Sequence, residues 1–366
     1  MRALLVFSAT LIAAGAITGT RGIQSQEAIL EDSNPTFRRA WMAAEFPGTL
    51  GVSPPYYLTQ QERDRVKGTF GVDLSHHIFD IDRNRAKCRA QAGYDEPDCS
   101  CTFDPQAASN NGVQFVYLKA TQGDYYTDLS FAKNWNILEA SHQSKSIFRG
   151  AMHFLVPGVD AKKQADKFLR TIGATDGNKP KQMLPMLDIE WTNTPVSEGT
   201  QRFDACQRKE QNNDGTWICD EWYQMGSKEI AALATEWIDL VESATGQQVI
   251  IYTNVVNWWD KFVGRDGKDL VGKQPFWMSN YTNLKYADRW TKTGGSQRWK
   301  MPPLPMTGSY PDDSYSKAHV WQFTDSGIVQ PNLFTCSGKS ISKQTDMNWV
   351  PVTGAEFENL FGVANQ

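Results

Sequence analysis

Eight short apolar segments, spaced along the chain from Phe70 onward, constrain the fold more than any other feature of the sequence. Each has the length and the residue types of a β-strand. Three segments with apolar residues at helical spacing lie between some of them, and Gly246 follows the last as a predicted helix C-cap. The predicted strands are Phe70–Ser75, Val113–Thr121, Phe148–Leu155, Met183–Trp191, Val249–Asn254, Pro275–Tyr281, His319–Thr324 and Thr345–Val350, and the predicted helices are Leu129–Ser144, Asp160–Ile172 and Glu229–Ala244.

Strands that alternate with helices favour a parallel sheet closed as a β/α barrel. Helices are missing from the last crossovers, so we predict an α/β fold that is a modified, irregular barrel. It has about eight strands and fewer helices than a regular TIM barrel. Three insertions read as loops: Ile78–Asn111, Thr192–Ser227 and Thr282–Lys317.

The N-terminal segment predicts export. Arg2 supplies a positive start, Ala3–Ala14 is apolar, and Ala14-Gly15-Ala16 resembles a small-residue cleavage site. An uncleaved N-terminal anchor is the alternative. The predicted division is therefore a signal peptide at 1–22, an extended arm or linker at 23–67, and a barrel domain at 68–366. We expect a secreted, periplasmic or extracellular monomer that has no contact with the membrane once the signal is removed.

The chain has 6 cysteines, and an even number in an exported protein suggests disulfides. Cys206 and Cys219 bracket a polar loop and are predicted to pair. Cys88 could pair with Cys99 or Cys101, which leaves the other for Cys336. No Cys-x-x-Cys spacing supports a zinc site.

Composition and missing motifs exclude several function classes. The formal net charge of −4 provides no basic surface for nucleic acid. Adjacent His76 and His77 would face opposite sides of a strand, and no His-x-His spacing is present, so we expect no metal. A Gly-rich phosphate loop and Gly-x-Ser-x-Gly are also absent, and we expect no cofactor. The 13 Trp suit either a core or a surface that stacks on sugar rings.

Asp188 and Glu190 are the strongest candidates for chemistry. They lie two residues apart in an apolar predicted strand, so both side chains face the same side. Burying two acids is costly unless a partner or a function holds them there. Asp73 in the first strand and Asp346 in the last should lie near them at the mouth of the barrel, unless each merely caps a loop or pairs with a lysine.

Two carboxyl groups of unequal pKa are typical of glycosidic bond cleavage. Beside Trp191 and an ionised Asp188, Glu190 should have a raised pKa because of desolvation and like charge. We therefore predict that Glu190 is the general acid. Asp188 would stay ionised and stabilise positive charge near the anomeric carbon. His153 is expected to end its strand as a hydrogen-bonding residue of the site.

Six segments resemble, in this order, the successive strand motifs of family 25 glycoside hydrolases, the Chalaropsis-type N-acetylmuramidase lysozymes. The resemblance extends from about Phe70 to Phe361. The segments are Gly71-Val72-Asp73-Leu74-Ser75, Lys119-Ala120-Thr121-Gln122-Gly123, Arg149-Gly150-Ala151-Met152-His153-Phe154, Leu184-Pro185-Met186-Leu187-Asp188-Ile189-Glu190, Trp321-Gln322-Phe323 and Thr345-Asp346-Met347-Asn348.

The resemblance implies hydrolysis of the β-1,4 bond between N-acetylmuramic acid and N-acetylglucosamine in peptidoglycan glycan strands. Glu190 would be the proton donor, and Asp188 would stabilise an oxazolinium ion or act more directly. Asp73 and Asp346 match two further acids of the family site. Substrate contacts are expected from Gln122, His153, Trp191, Tyr252, Trp277, Tyr281 and Trp321.

The chain departs from the family pattern in three places. The family usually has Glu where Gln122 stands, Tyr where Met152 stands, and a Gln after the first motif, where His77 and Ile78 occur here. One alternative is a chitinase-like hydrolase of another N-acetylated polysaccharide. Its longer acidic pattern is missing, since Met186 occupies one of the positions before Asp188. A second alternative is an inactive glycan-binding barrel.

Overall fold

The computed structural model describes eighteen stretches of the chain. They are residues 56–57, 68–79, 101–145, 147–174, 182–192, 194–206, 209–211, 215–254, 258–259, 262–267, 270, 273–279, 291–292, 299–300, 317–329, 332–336, 339–341 and 343–363. The predictions for the signal peptide, for most of the arm, and for Cys88, Cys99 and Tyr281 lie outside these residues.

Eight strands form a closed barrel, which confirms the predicted fold class. Each barrel strand pairs with the next barrel strand along the chain. The eighth also pairs with the first, which closes the barrel. The barrel strands are β1 (Thr69–Leu74), β2 (Val113–Gln122), β3 (Phe148–Phe154), β4 (Met186–Asp188), β5 (Ile250–Asn254), β6 (Phe276–Ser279), β7 (Val320–Ile328) and β8 (Thr345–Val350).

The direction of the last strand corrects the expectation of a parallel sheet. Strands β1 to β7 run parallel to one another, whereas β8 runs antiparallel to both of its neighbours. A parallel strand needs a long crossover, commonly a helix. Between β7 and β8 the described residues form only the short strands Phe334–Cys336 and Lys339–Ile341. The start of β8 therefore lies beside the end of β1.

Six α-helices are present in the described residues. Asp160 and Asp104 cap two of them by accepting hydrogen bonds from backbone amides, and Gly173 and Gly246 end two helices in the left-handed conformation. The helices are α1 (Pro105–Asn110), α2 (Phe131–Lys145), α3 (Ala161–Ile172), α4 (Gln201–Ala205), α5 (Ser227–Thr245) and α6 (Gly354–Leu360), with 3₁₀ turns at His76–Phe79, Glu221–Gln224 and Gly264–Gly267.

The insertions contain regular structure, which corrects their interpretation as loops. The second one holds a three-stranded antiparallel sheet, and Cys206 and Cys219 form the predicted disulfide there. Cys101 is also disulfide-bonded. The remaining short strands are Tyr56–Tyr57, Thr102–Phe103, Tyr126–Thr127, Thr194–Val196, Lys209–Gln211, Trp217–Cys219, Thr291–Lys292, Trp299–Lys300 and Lys317–Ala318.

Side chains alternate between two apolar layers along each barrel strand. One layer fills the barrel and includes Phe115, Met186 and Trp277. Helix α6 closes the end of the barrel where the parallel strands begin, since its Phe357 packs 5.7 Å from Phe115. The other layer lies between the sheet and helices α2, α3 and α5. The opposite end of the barrel, where the parallel strands finish, is the mouth.

No helix in the described residues is long and apolar enough to cross a membrane.

Candidate active site

Asp188 is the last residue of β4, and Glu190 follows it just beyond the strand. The strand is shorter than predicted, but hydrogen bonds to both neighbours continue past its end. The Asp188 carbonyl accepts from Leu155 N at 2.9 Å, and Ile189 N donates to the Tyr252 carbonyl at 3.0 Å. Both acids therefore keep the alternation of the strand and share one face. Asp188 Oδ1 and Glu190 Oε2 are buried atoms.

The second insertion holds the backbone at Glu190. Trp222, a fully buried residue in a 3₁₀ turn, donates from its indole Nε1 to the Glu190 carbonyl at 2.7 Å. Asp220 caps that turn by accepting from Trp222 N, and the hydroxyl of Thr192 accepts from Glu221 N at 2.9 Å. The insertion thus returns to the barrel directly beside the predicted proton donor.

A hydrogen-bonded network of buried side chains crosses the mouth from β5 to β1. Asp73 Oδ2 accepts from Gln322 Nε2 at 2.9 Å and from Asn348 Nδ2 at 2.7 Å. The Tyr252 hydroxyl donates to Gln322 Oε1 at 2.9 Å, and Trp277 Nε1 donates to Asn348 Oδ1 at 3.1 Å. Each amide therefore has a fixed orientation, with its NH₂ group toward Asp73.

Asp346 joins this network at Asp73. The two residues are partners in the β1–β8 ladder, and their carboxyl groups are hydrogen-bonded to each other. Burial raises the pKa of Asp73, while hydrogen bonds from Asn348, Gln322 and Asp346 oppose this shift. The pKa of Asp73 is raised overall, because the effect of burial outweighs that of the hydrogen bonds.

Tyr252 connects the network to the strand that carries the acids. It is the ladder partner of Asp188, so the two side chains extend into the barrel from adjacent strands whose backbones are about 5 Å apart. Acids from the first, fourth and last strands thus lie at one end of the barrel. This arrangement depends on the antiparallel direction of β8, because a parallel β8 would place Asp346 at the opposite end.

Gln122 and Lys119 line the mouth on β2. The ladder between β2 and β3 shifts register between Lys119 and Thr121, which marks a β-bulge. Because of this bulge, Lys119 and Gln122 share the inner face, and Lys119 Nζ donates to Gln122 Oε1 at 2.9 Å. Met152, the ladder partner of Lys119, belongs to the apolar layer inside the barrel.

Three predicted site residues lie on the outer face of their strands. His153 is fully buried, stacks on Trp237 of α5 at 5.1 Å and approaches Phe168 of α3. Trp321 packs against Phe323 and Trp349 in the outer layer, and Trp191 belongs to the same layer. The structure therefore does not bring these three side chains to the mouth. Trp277 does face inward, but it is fully buried below the network.

Residues 100–331 match the model of the glycosyl hydrolases family 25, which is more than half of the chain. This chain belongs to that family. The motifs on β2, β3, β4 and β7 fall within the matched region, whereas Asp73 and Asp346 lie outside it.

Curated relatives align with this family 25 chain over about half of its length. The uncharacterized protein YegX of Escherichia coli (strain K12) is 26% identical over 174 residues, which are 47% of this chain and 48% of YegX. The N,O-diacetylmuramidase of Chalaropsis sp is 27% identical over 190 residues, 51% of this chain and 76% of that protein. The chain thus spans about half the length of YegX.

Among solved structures, the bacterial lysozyme from Streptomyces coelicolor aligns over 82% of this chain and 98% of its own. The TM-score is 0.47 and the identity 17%. The family assignment rests on the sequence match and not on this superposition.

Sequence reasoning missed the polar residues that organise the mouth of this family 25 barrel. Gln322 and Asn348 both contact Asp73, and Trp222 contacts the Glu190 backbone. One signal for Asn348 was available, since it lies two residues after Asp346 and so shares its face. Trp222 carried no such signal, because its partner is 32 residues away in the chain.

No group of three or more His, Cys, Asp or Glu residues is placed to hold a metal ion in the part of the chain that the structure describes. His76 instead contacts Asp128, with 2.7 Å between Nδ1 and Oδ2. The pKa of Asp128 is lowered: hydrogen bonds and the charge of His76 outweigh the effect of burial.

Proposed function

We propose that this chain is an N-acetylmuramidase that hydrolyses the β-1,4 bond between N-acetylmuramic acid and N-acetylglucosamine in peptidoglycan. The observation that carries the proposal is the pair Asp188 and Glu190, held on one face at the end of an apolar strand. Two carboxyl groups at one cleft are what glycosidic cleavage requires. Family membership supports glycosidic chemistry. The name of the Chalaropsis relative supports the choice of substrate.

Glu190 is the general acid in this proposal. It donates a proton to the oxygen of the glycosidic bond, the bond between that oxygen and the anomeric carbon breaks, and the oxygen leaves as a sugar hydroxyl. A water molecule then adds to the anomeric carbon and returns a proton to Glu190. The hydrogen bond from Trp222 to the Glu190 backbone supports this role, because a general acid must be held within reach of one oxygen atom.

Asp188 stabilises the positive charge that develops at the anomeric carbon. The charge can spread onto the 2-acetamido group of the sugar as an oxazolinium ion, or Asp188 can act on it more directly. Both routes require Asp188 to be ionised and close to the reacting ring. Asp73 orients the neighbouring Tyr252 through Gln322, and Asp346 is the ladder partner of Asp73.

Digestion of purified peptidoglycan tests the proposal through the identity of the new reducing ends. Wild-type protein should release muramic acid reducing ends, and Glu190→Gln should release none. Glu236→Gln is the matched control, since Glu236 is exposed on α5. Release of glucosamine ends would favour the chitinase-like alternative. Binding without release would favour an inactive glycan-binding barrel.

A peptidoglycan substrate would require the active protein outside the cytoplasm, which agrees with the export predicted from residues 1–22. Mass spectrometry of the protein recovered from a secreting host tests this point. We expect a mature N-terminus between Ala16 and Ile23. A full-length chain retained in the membrane fraction would support the uncleaved anchor.

A further inference from the structure

Lys119 places a positive charge inside the mouth of the barrel. Lys119 is 8% exposed. Its ammonium group donates to the amide oxygen of Gln122, and its Nζ lies 4.5 Å from the centre of the Phe154 ring. Neither partner is an anion. Within the described residues no carboxylate forms an ion pair with Lys119. Taking an ammonium group out of water without an anionic partner is costly, so such a site favours a ligand that brings a negative charge.

An exposed aromatic ring lies on the rim next to this charge. Tyr125 is 56% exposed, and no other large hydrophobic residue that the structure describes is as open to solvent. Its hydroxyl accepts a hydrogen bond from Gln122 Nε2 at 3.4 Å. The turn that carries Tyr125 requires Gly123, whose φ is +55° and where a Cβ would lie 2.6 Å from the Tyr125 ring. The ring is therefore held against the end of β2.

Lys119, Gln122 and Tyr125 form a continuous strip, which we name the β2 strip. The Lys119 ammonium is at its deep end, the Gln122 amide bridges the middle, and the Tyr125 ring is at its outer end. A ring face, an amide and an ammonium match the three features of an acidic N-acetylated sugar. These are an apolar ring face, an acetamido group and a carboxylate.

The strip lies within one or two sugar units of the predicted acids. Gln122 is the ladder partner of Phe154, which is the partner of Asp188. Two strand spacings separate Gln122 from Asp188, about 10 Å. A glycan chain bound at Asp188 and Glu190 can therefore reach the strip with a neighbouring part of the same strand.

We infer that the β2 strip is a specificity subsite that recognises a carboxylate carried by the glycan next to the bond that is cleaved. This inference rests on the proposed muramidase function and names a group that the substrate must present. Two sources have this chemistry, namely the lactyl carboxylate of a muramic acid unit without a peptide stem and the carboxylates of the stem itself.

Binding measured in the Glu190→Gln background tests the strip independently of hydrolysis. Three glycans serve as probes: strands with stems, strands freed of stems by an amidase, and stem-free strands whose carboxyl groups have been reduced to alcohols. Lys119→Met should weaken binding of a carboxylate-bearing glycan roughly tenfold or more and leave binding of the reduced glycan unchanged. Preference for the stem-free or for the stem-bearing strands identifies the source.

Kinetics in the active protein separate recognition from a structural role. Lys119→Met should raise KM for the preferred glycan and leave kcat unchanged, because the contact exists before and during the reaction. Lys119→Arg should recover most of the affinity. Lys228→Met is the matched control, since Lys228 is exposed on α5. Tyr125→Ala should weaken binding of all three glycans about fivefold, with Tyr125→Phe close to wild type.

Two failures can be told apart. If the wild-type protein cleaves no glycan but Lys119→Met still loses carboxylate-dependent binding, the muramidase proposal fails and the strip stands. If Lys119→Met weakens binding of reduced and carboxylate-bearing glycans equally, or lowers kcat on both, Lys119 has a structural role and the inference is wrong.

Discussion

Two buried polar clusters lie on opposite faces of the same barrel wall. The inner one surrounds Asp73 at the mouth, where Gln322 and Asn348 donate to its carboxylate. The outer one surrounds His153, whose Nε2 lies 3.2 Å from Gln164 Oε1. Both are almost completely shielded from solvent and both are well hydrogen-bonded. The inner cluster opens toward the predicted acids, whereas the outer cluster is sealed by α3 and α5.

The outer cluster is complete without a ligand. Gln164 Nε2 donates to the carbonyls of Val156 and Val159, and Gln164 Oε1 accepts from Val156 N. These bonds fix the amide, so His153 Nε2 donates to it and Nδ1 accepts from the Thr121 hydroxyl at 2.7 Å. Burial lowers the pKa of His153 to about 3, and the ring is neutral. Burial and hydrogen bonding alone therefore do not identify a functional site. The face of the strand on which a polar residue lies determines whether it can reach the mouth of the barrel.

Among the substitutions that compare the two clusters, the largest effect is expected on the inner face. Asp188→Asn should lower turnover there without lowering stability. Asp188→Asn keeps the shape of the side chain but removes its charge, so turnover should fall roughly 100- to 1,000-fold. Glycan binding and the midpoint of urea unfolding should stay near wild type. Initial rates on purified peptidoglycan and equilibrium unfolding measure the two quantities. Turnover near wild type would remove Asp188 from the mechanism.

The reciprocal change on the outer face should lower stability and leave activity intact. His153→Ala removes the ring that packs on Trp237 and one partner of Gln164, so we expect a loss of about 3 kcal/mol in the free energy of unfolding. The kcat of the folded fraction should stay within about twofold. A selective loss of kcat at unchanged stability would instead place His153 in the site.

His153 should also make stability depend on pH. Its pKa is lowered on folding, so its contribution is present above the unfolded pKa of about 6.5 and is lost as the pH falls toward 3. Between pH 7 and pH 5 this loss should be about 2 kcal/mol. Urea unfolding of wild type and His153→Gln at both pH values measures it. An equal loss in the two proteins would contradict a neutral buried ring.

The smallest of the expected effects is that of a change in the hydrogen-bonded network around Asp73. Gln322→Ala removes the link between Tyr252 and Asp73, but Asn348 still donates to Asp73. We expect kcat to fall about tenfold, because Tyr252 loses its fixed position beside Asp188. The free energy of unfolding should fall by about 1 to 2 kcal/mol, because the buried Tyr252 hydroxyl loses the partner that Gln322 provides. The pH profile of kcat, compared with wild type, and equilibrium urea unfolding measure the two effects. An unchanged profile and rate would show that the network is dispensable.

The strands and helices of the barrel were largely predictable, since each has a strong local pattern. The ends of α5 illustrate this: predicted as Glu229–Ala244 with Gly246 as C-cap, the helix spans Ser227–Thr245 and Gly246 is left-handed. The Cys206–Cys219 disulfide was also predicted, from a short loop. The face of each strand was harder. The family resemblance implied a substrate contact from Trp321, yet its neighbour Gln322 faces the mouth.

The sequence by itself determined the eight strands, their order and the pair Asp188 and Glu190, because strand patterns and i, i+2 spacing are local. Only the tertiary structure decided that β8 runs antiparallel, which brings Asp346 to Asp73. It also decided that the bulge near Ala120 places Lys119 inside the barrel and Thr121 outside. The physical reason is that strand direction, register and bulges are set by pairing between distant segments, which a local pattern does not encode.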